Sequence, residues 1–191
     1  MGCDIEENEQ VESSVDIPAD IKHPLQTSWS FWMFTNTNKK NWEENLVKLT
    51  VFDTVEDYWR LYHWMKRPSE LIFGQDYAVF RGNITPMWEH PANRHGGRMI
   101  FNFEKKRNMR VDMDTAWMLV ILMMIGENFD NSDAICGAVI NVRAKSKIGV
   151  WITDRNEASI IEVGRKLKDQ LGLTTKINFH LHNQVTNLMT I

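Results

Sequence analysis

The chain is poor in cysteine, with two, Cys3 and Cys136, in 191 residues. Two such thiols make no disulfide framework, so a reducing compartment is expected. No apolar run approaches the ~20 residues that cross a bilayer. The acidic N-terminus holds no hydrophobic signal region, so secretion is not expected. Met1-Gly2-Cys3 opens like a myristoylation site, but Glu6 stands where Ser or Thr is required. Without a secretory route the sequon Asn83-Ile84-Thr85 reads as chance. Also missing are a Gly-x-Ser-x-Gly elbow, a phosphate-binding glycine loop and a catalytic Cys–His signature. His180-Leu181-His182 puts two imidazoles on one strand face, and His90 and His95 flank a loop. No Cys or carboxylate completes a zinc spacing with either pair. Neither a metal nor a cofactor is expected, and no catalytic residue is assigned.

Tryptophan, by contrast, is abundant, with eight residues. Two of them sit beside charge: Trp88 in Pro86-Met87-Trp88-Glu89, and Trp42 in Lys39-Lys40-Asn41-Trp42-Glu43-Glu44. Cores are built mainly from other apolar residues, and Trp is rarely completely buried. An indole among turn residues and charges presents a flat face suited to a planar or cationic ligand. The composition, 43% hydrophobic and 25% charged, is that of a soluble globular chain. Its length suits one domain with a sizeable core. The net charge of −3 hides an asymmetry. Asp4, Glu6, Glu7, Glu9, Glu12, Asp16 and Asp20 precede any Lys or Arg, and setting them aside leaves residues 22–191 at +4. Residues 1–22 therefore read as an acidic, disordered arm, residues 23–182 as the folded domain and residues 183–191 as a short tail. The mildly basic body permits a phosphate-bearing ligand.

Along the domain, Ser28 to Phe34 is short and aromatic-rich and reads as a strand; Leu46 to Phe52 is ambiguous. Asp53-Thr54-Val55-Glu56 has capping-box spacing. It leads into Tyr58, Trp59, Leu61, Tyr62 and Met65 at helical intervals, ended by Pro68 and Ser69. Tyr77–Arg81 and Arg98–Phe103 read as strands around a loop punctuated by Pro86, Pro91, Gly96 and Gly97. Asp112 or Asp114 caps a second helix through Trp117, Leu119, Ile121, Leu122 and Ile125, apolar nearly all round, to Gly126. Ile135–Arg143 and Lys147–Thr153 read as paired strands. Asn156–Leu171 is a third helix stopped by Gly172, and Lys176–His180 a last edge strand. The order suggests an α+β fold with helices on one face of an antiparallel sheet.

Three constellations stand out. Trp42 and Trp88, both in predicted loops, would sandwich a flat base, with Glu89 accepting hydrogen bonds from a guanine edge. A base methylated at N7 is cationic, which strengthens both contacts. Spacing alone also allows plugs over the core. Arg98 and the hairpin tip Arg143-Ala144-Lys145-Ser146-Lys147 suit a polyphosphate, or simply a solvated hairpin; Lys105-Lys106-Arg107 is assigned to the surface. Val55 and Trp59 on one helix, with Met118, Leu122 and Ile125 on another, form either a groove for an amphipathic partner helix or ordinary packing.

Taken in order, several segments resemble the eukaryotic translation initiation factor 4E family, the messenger-RNA cap-binding proteins, over about residues 23–180. They are His23-Pro24-Leu25-Gln26, Phe52-Asp53-Thr54-Val55-Glu56-Asp57, Pro86-Met87-Trp88-Glu89, Gly96-Gly97-Arg98, and Cys136-Gly137-Ala138-Val139 running into Asn141-Val142-Arg143-Ala144-Lys145. The resemblance implies a strongly curved antiparallel sheet with three long helices on its convex face and the cap slot on its concave face. It implies that Trp42 and Trp88 stack the 7-methylguanine and that Glu89 and the Trp88 backbone N–H read its edge. Trp151 would touch the N7-methyl group, and Arg98, Arg143 and Lys147, with Lys145 near them, would hold the phosphates. It also implies a dorsal surface of His23, Pro24, Val55, Trp59, Met118, Leu119, Leu122 and Gly126. That surface would receive the Tyr-x-x-x-x-Leu-hydrophobic helix of 4G-type scaffold and 4E-binding repressor proteins.

The sequence departs from the family pattern in places. Met99 replaces a Trp after Gly-Gly-Arg, and Leu119 replaces a dorsal Glu. The loop Ala144–Lys147 is one residue shorter than typical, and Asn183–Ile191 is unlike the family's Ser/Thr-rich end, so regulatory phosphorylation does not carry over. The implied protein is a non-enzymatic initiation factor that binds capped mRNA in the cytoplasm, with the nucleus and RNA granules as further sites, and binds no membrane. The alternative is a repressor-type paralogue that holds caps without engaging the scaffold. A cap-processing hydrolase would need a carboxylate cluster for metal ions or a nucleophilic His, and neither is found.

Overall fold

The computed structural model describes residues 21–37, 41–103, 112–153, 155–182 and 187–191. Nearly all of the acidic arm, Cys3 and the Lys105-Lys106-Arg107 run lie outside the described residues. Eight strands form one antiparallel sheet in the order β2-β1-β3-β5-β6-β4-β7-β8. They are β1 (Pro24–Phe34), β2 (Leu46–Thr54), β3 (Asp76–Arg81), β4 (Gly97–Phe103), β5 (Ile135–Asn141), β6 (Ser146–Ile152), β7 (Asn178–Leu181) and β8 (Asn187–Thr190). The helices are α1 (Trp42–Asn45), α2 (Val55–Trp64), α3 (Met113–Ile125) and α4 (Glu157–Leu171). The fold is α+β, a curved antiparallel sheet carrying three long helices.

Strand alternation divides the sheet's two faces. Trp29 and Phe31 of β1, Met99 and Phe101 of β4, and Ile148, Val150 and Ile152 of β6 point into the main core. There they meet Tyr58 of α2, Trp117, Val120 and Ile121 of α3, and Ile160, Val163 and Leu167 of α4. The intervening residues point the other way. Trp32, Ala78, Phe80, Cys136 and Trp151 form a smaller cluster on the concave face. Buried Cys136, whose thiol is pushed up to about 12 by desolvation, packs there as a small apolar group.

The helix ends follow capping chemistry. Asp112 accepts from the Thr115 N–H at 2.8 Å and opens α3, and Asn156 accepts from Ala158 and Ser159 and opens α4. Gly172, at φ 58°, closes α4 in the left-handed conformation a side chain disfavours. In α2 the cap lies one residue later than the Asp53–Glu56 spacing suggests. Thr54 is the N-cap, accepting from the Asp57 N–H and donating to the Asp57 carboxylate at 2.8 Å.

Three expectations change. Trp42 lies in a short helix rather than a loop, because Asn41 caps it by accepting from the Glu44 N–H at 2.8 Å. The ambiguous Leu46 segment is a strand, paired along β1. The terminal stretch read as a tail adds β8, so β7 is not the edge; Ile191 then exchanges two backbone hydrogen bonds with Ile177.

Candidate functional site

A cleft of about 230 Å³ opens on the concave face. Sheet residues Asp76, Ala78, Arg98, Ile100, Asn141, Lys147, Gly149 and Trp151 line it, together with Phe34, Leu46, Trp42 and the loop Pro86-Met87-Trp88. Register explains the sheet part: Arg98 is paired with Trp151, Ile100 with Gly149 and Asp76 with Asn141, so all face one way. Trp29, Trp32, Trp117 and Trp151 are buried, whereas Trp42 and Trp88 are 50% and 49% exposed. The two indoles that border the cleft therefore spend much of their apolar surface on solvent. Both also line an outer hollow with Asn41, Glu43, Met87 and Glu89, and Glu89 lies there rather than in the inner cleft.

Trp151 is fixed from two sides. Its ring meets Phe80 edge-on at 5.2 Å and the His182 imidazole at 4.1 Å. His182, two residues beyond the register partner of Arg98, has both ring nitrogens buried and without a hydrogen-bond partner among the described residues. Burial, and then the Arg98 and Arg155 guanidiniums, pull its pKa down to about 4, so the ring is neutral near pH 7. Burial also lowers the pKa of Arg98, and burial followed by Arg98 and Arg143 lowers that of Lys147. The cleft thus holds two partly desolvated cations beside apolar walls, an arrangement that favours an anion.

The other basic residues stand differently. Arg143 is gripped by Asp76 through two bonds of 2.6 and 3.1 Å and also donates to the Val142 carbonyl. Its guanidinium is held beside the cleft by the same Asp76 that lines it. Lys145 is exposed at the hairpin tip and does not line the cleft. Sequence reasoning missed Asp76 and His182. An Asp at the start of a strand carries no signal until the neighbouring hairpin brings Arg143 against it, and in the sequence His182 reads only as half of an imidazole pair with His180. Among the described residues no group of His, Cys, Asp and Glu is arranged to hold a metal.

The predicted dorsal residues divide by element. His23 bonds Glu56 through its ring at 2.6 Å and its backbone N–H at 2.9 Å, and its carbonyl accepts from the Val55 N–H. The His23 bonds hold the Glu56 carboxyl down at about 2. The start of β1 is thereby tied to the start of α2. Val55 is exposed, and half-buried Trp59 packs edge-on against Tyr58 and Tyr62. On α3, Leu119 and Leu122 are half-buried against the core, Met118 is half-buried beside them, and Gly126 caps the helix.

The sequence profile described as "Eukaryotic initiation factor 4E" matches residues 24–190. The chain belongs to this family. It is 47% identical over 165 residues to eukaryotic translation initiation factor 4E1 of Drosophila melanogaster, covering 84% of this chain and 63% of that protein. The chain therefore spans less than two thirds of that relative's length. It is 44% identical over 177 residues to eukaryotic translation initiation factor 4E of Homo sapiens, covering 90% of this chain and 81% of that protein. Among solved 4E structures, Ascaris suum eIF4E-3 in complex with an m2,2,7G cap superposes with a TM-score of 0.84 at 36% identity, covering 90% of this chain and 99% of that one. Caenorhabditis elegans eIF4E-3, in complex with the 4E-binding protein Mextli, gives 0.82 at 32% identity, covering 90% and 100%. The concave cleft and the dorsal helices described above are thus features of a 4E-family fold. None of the described helices is long and apolar enough to cross a membrane.

Proposed function

We propose that this chain binds the 7-methylguanosine cap of mRNA by stacking the cationic base between Trp42 and Trp88, and recruits capped mRNA to the initiation machinery through its dorsal surface. The observation that carries the reading is the pair of half-exposed indoles bordering a cleft whose floor holds Arg98 and Lys147. A methylated base over an indole gains cation–π attraction, and the cations meet the phosphates. Glu89 accepts from the guanine edge, Trp151 contacts the N7-methyl group, and Arg143 and Lys145 add to the phosphate field. The chemistry is recognition, with no bond broken, and it operates in the cytoplasm on residues 23–182 together with β8. His23, Pro24, Val55, Trp59, Met118, Leu119, Leu122 and Gly126 receive the partner helix of a 4G-type scaffold or a 4E-binding repressor.

Tryptophan fluorescence during titration with 7-methyl-GDP, against GDP, tests the reading. Strong quenching by the methylated ligand alone is expected. Trp42→Ala or Trp88→Ala should weaken binding by about 1–3 kcal/mol, and Glu89→Ala should erase the preference for guanine. Normal affinity in either folded Trp variant sinks the stacking assignment. A second reading, a repressor-type paralogue, is favoured by apolar Leu119 on the dorsal face. Failure of a scaffold-motif helix peptide to bind in a pull-down would select it.

A further inference from the structure

The fully or nearly fully buried polar side chains among the described residues are Ser30, Asn45 and Asn93. The two asparagines each tie down a segment that carries one of the cleft tryptophans. Asn93, 0% exposed, donates through its side-chain Nδ2 to the carbonyls of Thr85 at 2.9 Å and Met87 at 2.7 Å. Those two carbonyls bracket Pro86 and immediately precede Trp88. Its backbone N–H donates to the His90 carbonyl at 2.8 Å, closing the turn from the other side of Trp88. The two donors fix the amide orientation, which leaves Oδ1 buried without a partner among the described residues. An unpaired buried acceptor is costly. The position therefore keeps asparagine for its two N–H groups, directed at the backbone beneath Trp88.

Asn45, 4% exposed, plays the matching part three residues after Trp42. Its Oδ1 accepts from the Thr35 hydroxyl at 2.9 Å and the Thr37 N–H at 2.6 Å, and its Nδ2 donates to the Thr37 carbonyl at 3.1 Å and the Asn41 carbonyl at 2.9 Å. One side chain thus joins the end of β1 to the cap of the short helix that holds Trp42. A four-residue helix has little stability of its own, so its orientation depends on this clamp.

We propose that Asn45 and Asn93 are positioning residues that hold Trp42 and Trp88 in a stacking-ready arrangement before ligand arrives. The inference rests on the cap-binding reading and deepens it. Ordering two loops on binding would cost affinity, and pre-ordering them removes that cost. The clamps act on the segments that carry the two indoles, whereas Arg98 and Lys147 are held by the pairing of β4 with β6.

Asn93→Asp and Asn45→Ala test the proposal in the full chain. In Asn93→Asp an acceptor replaces the donor at nearly constant volume. We expect each to weaken 7-methylguanosine binding about tenfold, and the pair together by more than either alone but less than about a hundredfold, because both indoles hold the same base. The gain in affinity from 7-methylguanosine to 7-methyl-GTP should stay at its wild-type value. In the free protein, hydrogen exchange at the Met87 amide should speed up in the Asn93 variant while amides of β5 and β6 stay protected. Unchanged nucleoside affinity in folded variants, or a loss confined to the phosphate increment, overturns the proposal. So does unchanged exchange at Met87. Wild-type protein that ignores the N7-methyl group overturns the cap reading instead, and the exchange rates still judge the clamp.

Discussion

At the scale of single residues, solvent exposure separates the two tryptophans proposed to stack the base from those that build the main core. Trp29 and Trp117 are 0% and 2% exposed, against 50% and 49% for Trp42 and Trp88. Exposure alone does not make a site, since Trp64 is 87% exposed and is not among the residues lining the concave cleft. His182 gives a pH prediction. Its folded pKa of about 4 lies below the ordinary histidine value near 6.5, so the unfolded chain binds its proton first as pH falls. The stability tied to its neutral form is complete above about pH 6.5 and is lost progressively as pH falls toward 4. Thermal melting should therefore show Tm declining across that window, and His182→Phe, which keeps a ring against Trp151, should flatten the decline. An equally steep decline in the variant would assign the effect to other groups. The pairing of His180 and His182 on one face was legible in the sequence. That His182 would be sealed beneath Trp151 was not, because its burial depends on β4, β6 and β7 lying side by side.

At the scale of elements, the caps decide where helices begin and so where surface residues point. Thr54 fixes the first turn of α2, which carries Val55 and Trp59. Thr54→Ala should cost about 1 kcal/mol in urea unfolding, and should weaken binding of a scaffold-motif peptide more than binding of 7-methyl-GDP. Equal weakening of both would mean the change spreads through the sheet. The sequence pattern located α2 by apolar residues at helical spacing before Pro68, and α3 and α4 by their capping residues and the glycine stops Gly126 and Gly172. It missed α1, which has a single turn and therefore no periodicity. It also missed β8, four residues of mixed character whose strand conformation comes from pairing with Asn178–His180. Short elements of this kind are held by their neighbours rather than by their own composition.

At the scale of the whole molecule, one buried ion pair joins the end of the dorsal helix to the sheet. Arg81 of β3 grips Glu127, just past α3, through two bonds of 2.8 Å. It also donates to the Ile135 and Ser132 carbonyls and stacks over Trp29 at 4.8 Å. The two side chains are 15% and 13% exposed, so screening is weak. Glu127→Gln should destabilise the fold by about 2–3 kcal/mol, because Arg81 keeps its carbonyl partners but loses its counter-charge. Denaturant melting measures this, and a change within about 0.5 kcal/mol would mean the pair is effectively solvated. The sequence by itself determined the α+β class, the three long helices and the likeness to the 4E family. Periodicity, caps and short motifs are local properties written in consecutive residues. Only the tertiary structure decided that Asp76 grips Arg143 beside the cleft, that Trp151 lies between Phe80 and His182, and that Asn45 and Asn93 clamp the loops of Trp42 and Trp88. The first two join side chains that meet only when strands close side by side, and the asparagine clamps depend on how a turn closes on itself, so no pattern of residue types records which groups will meet.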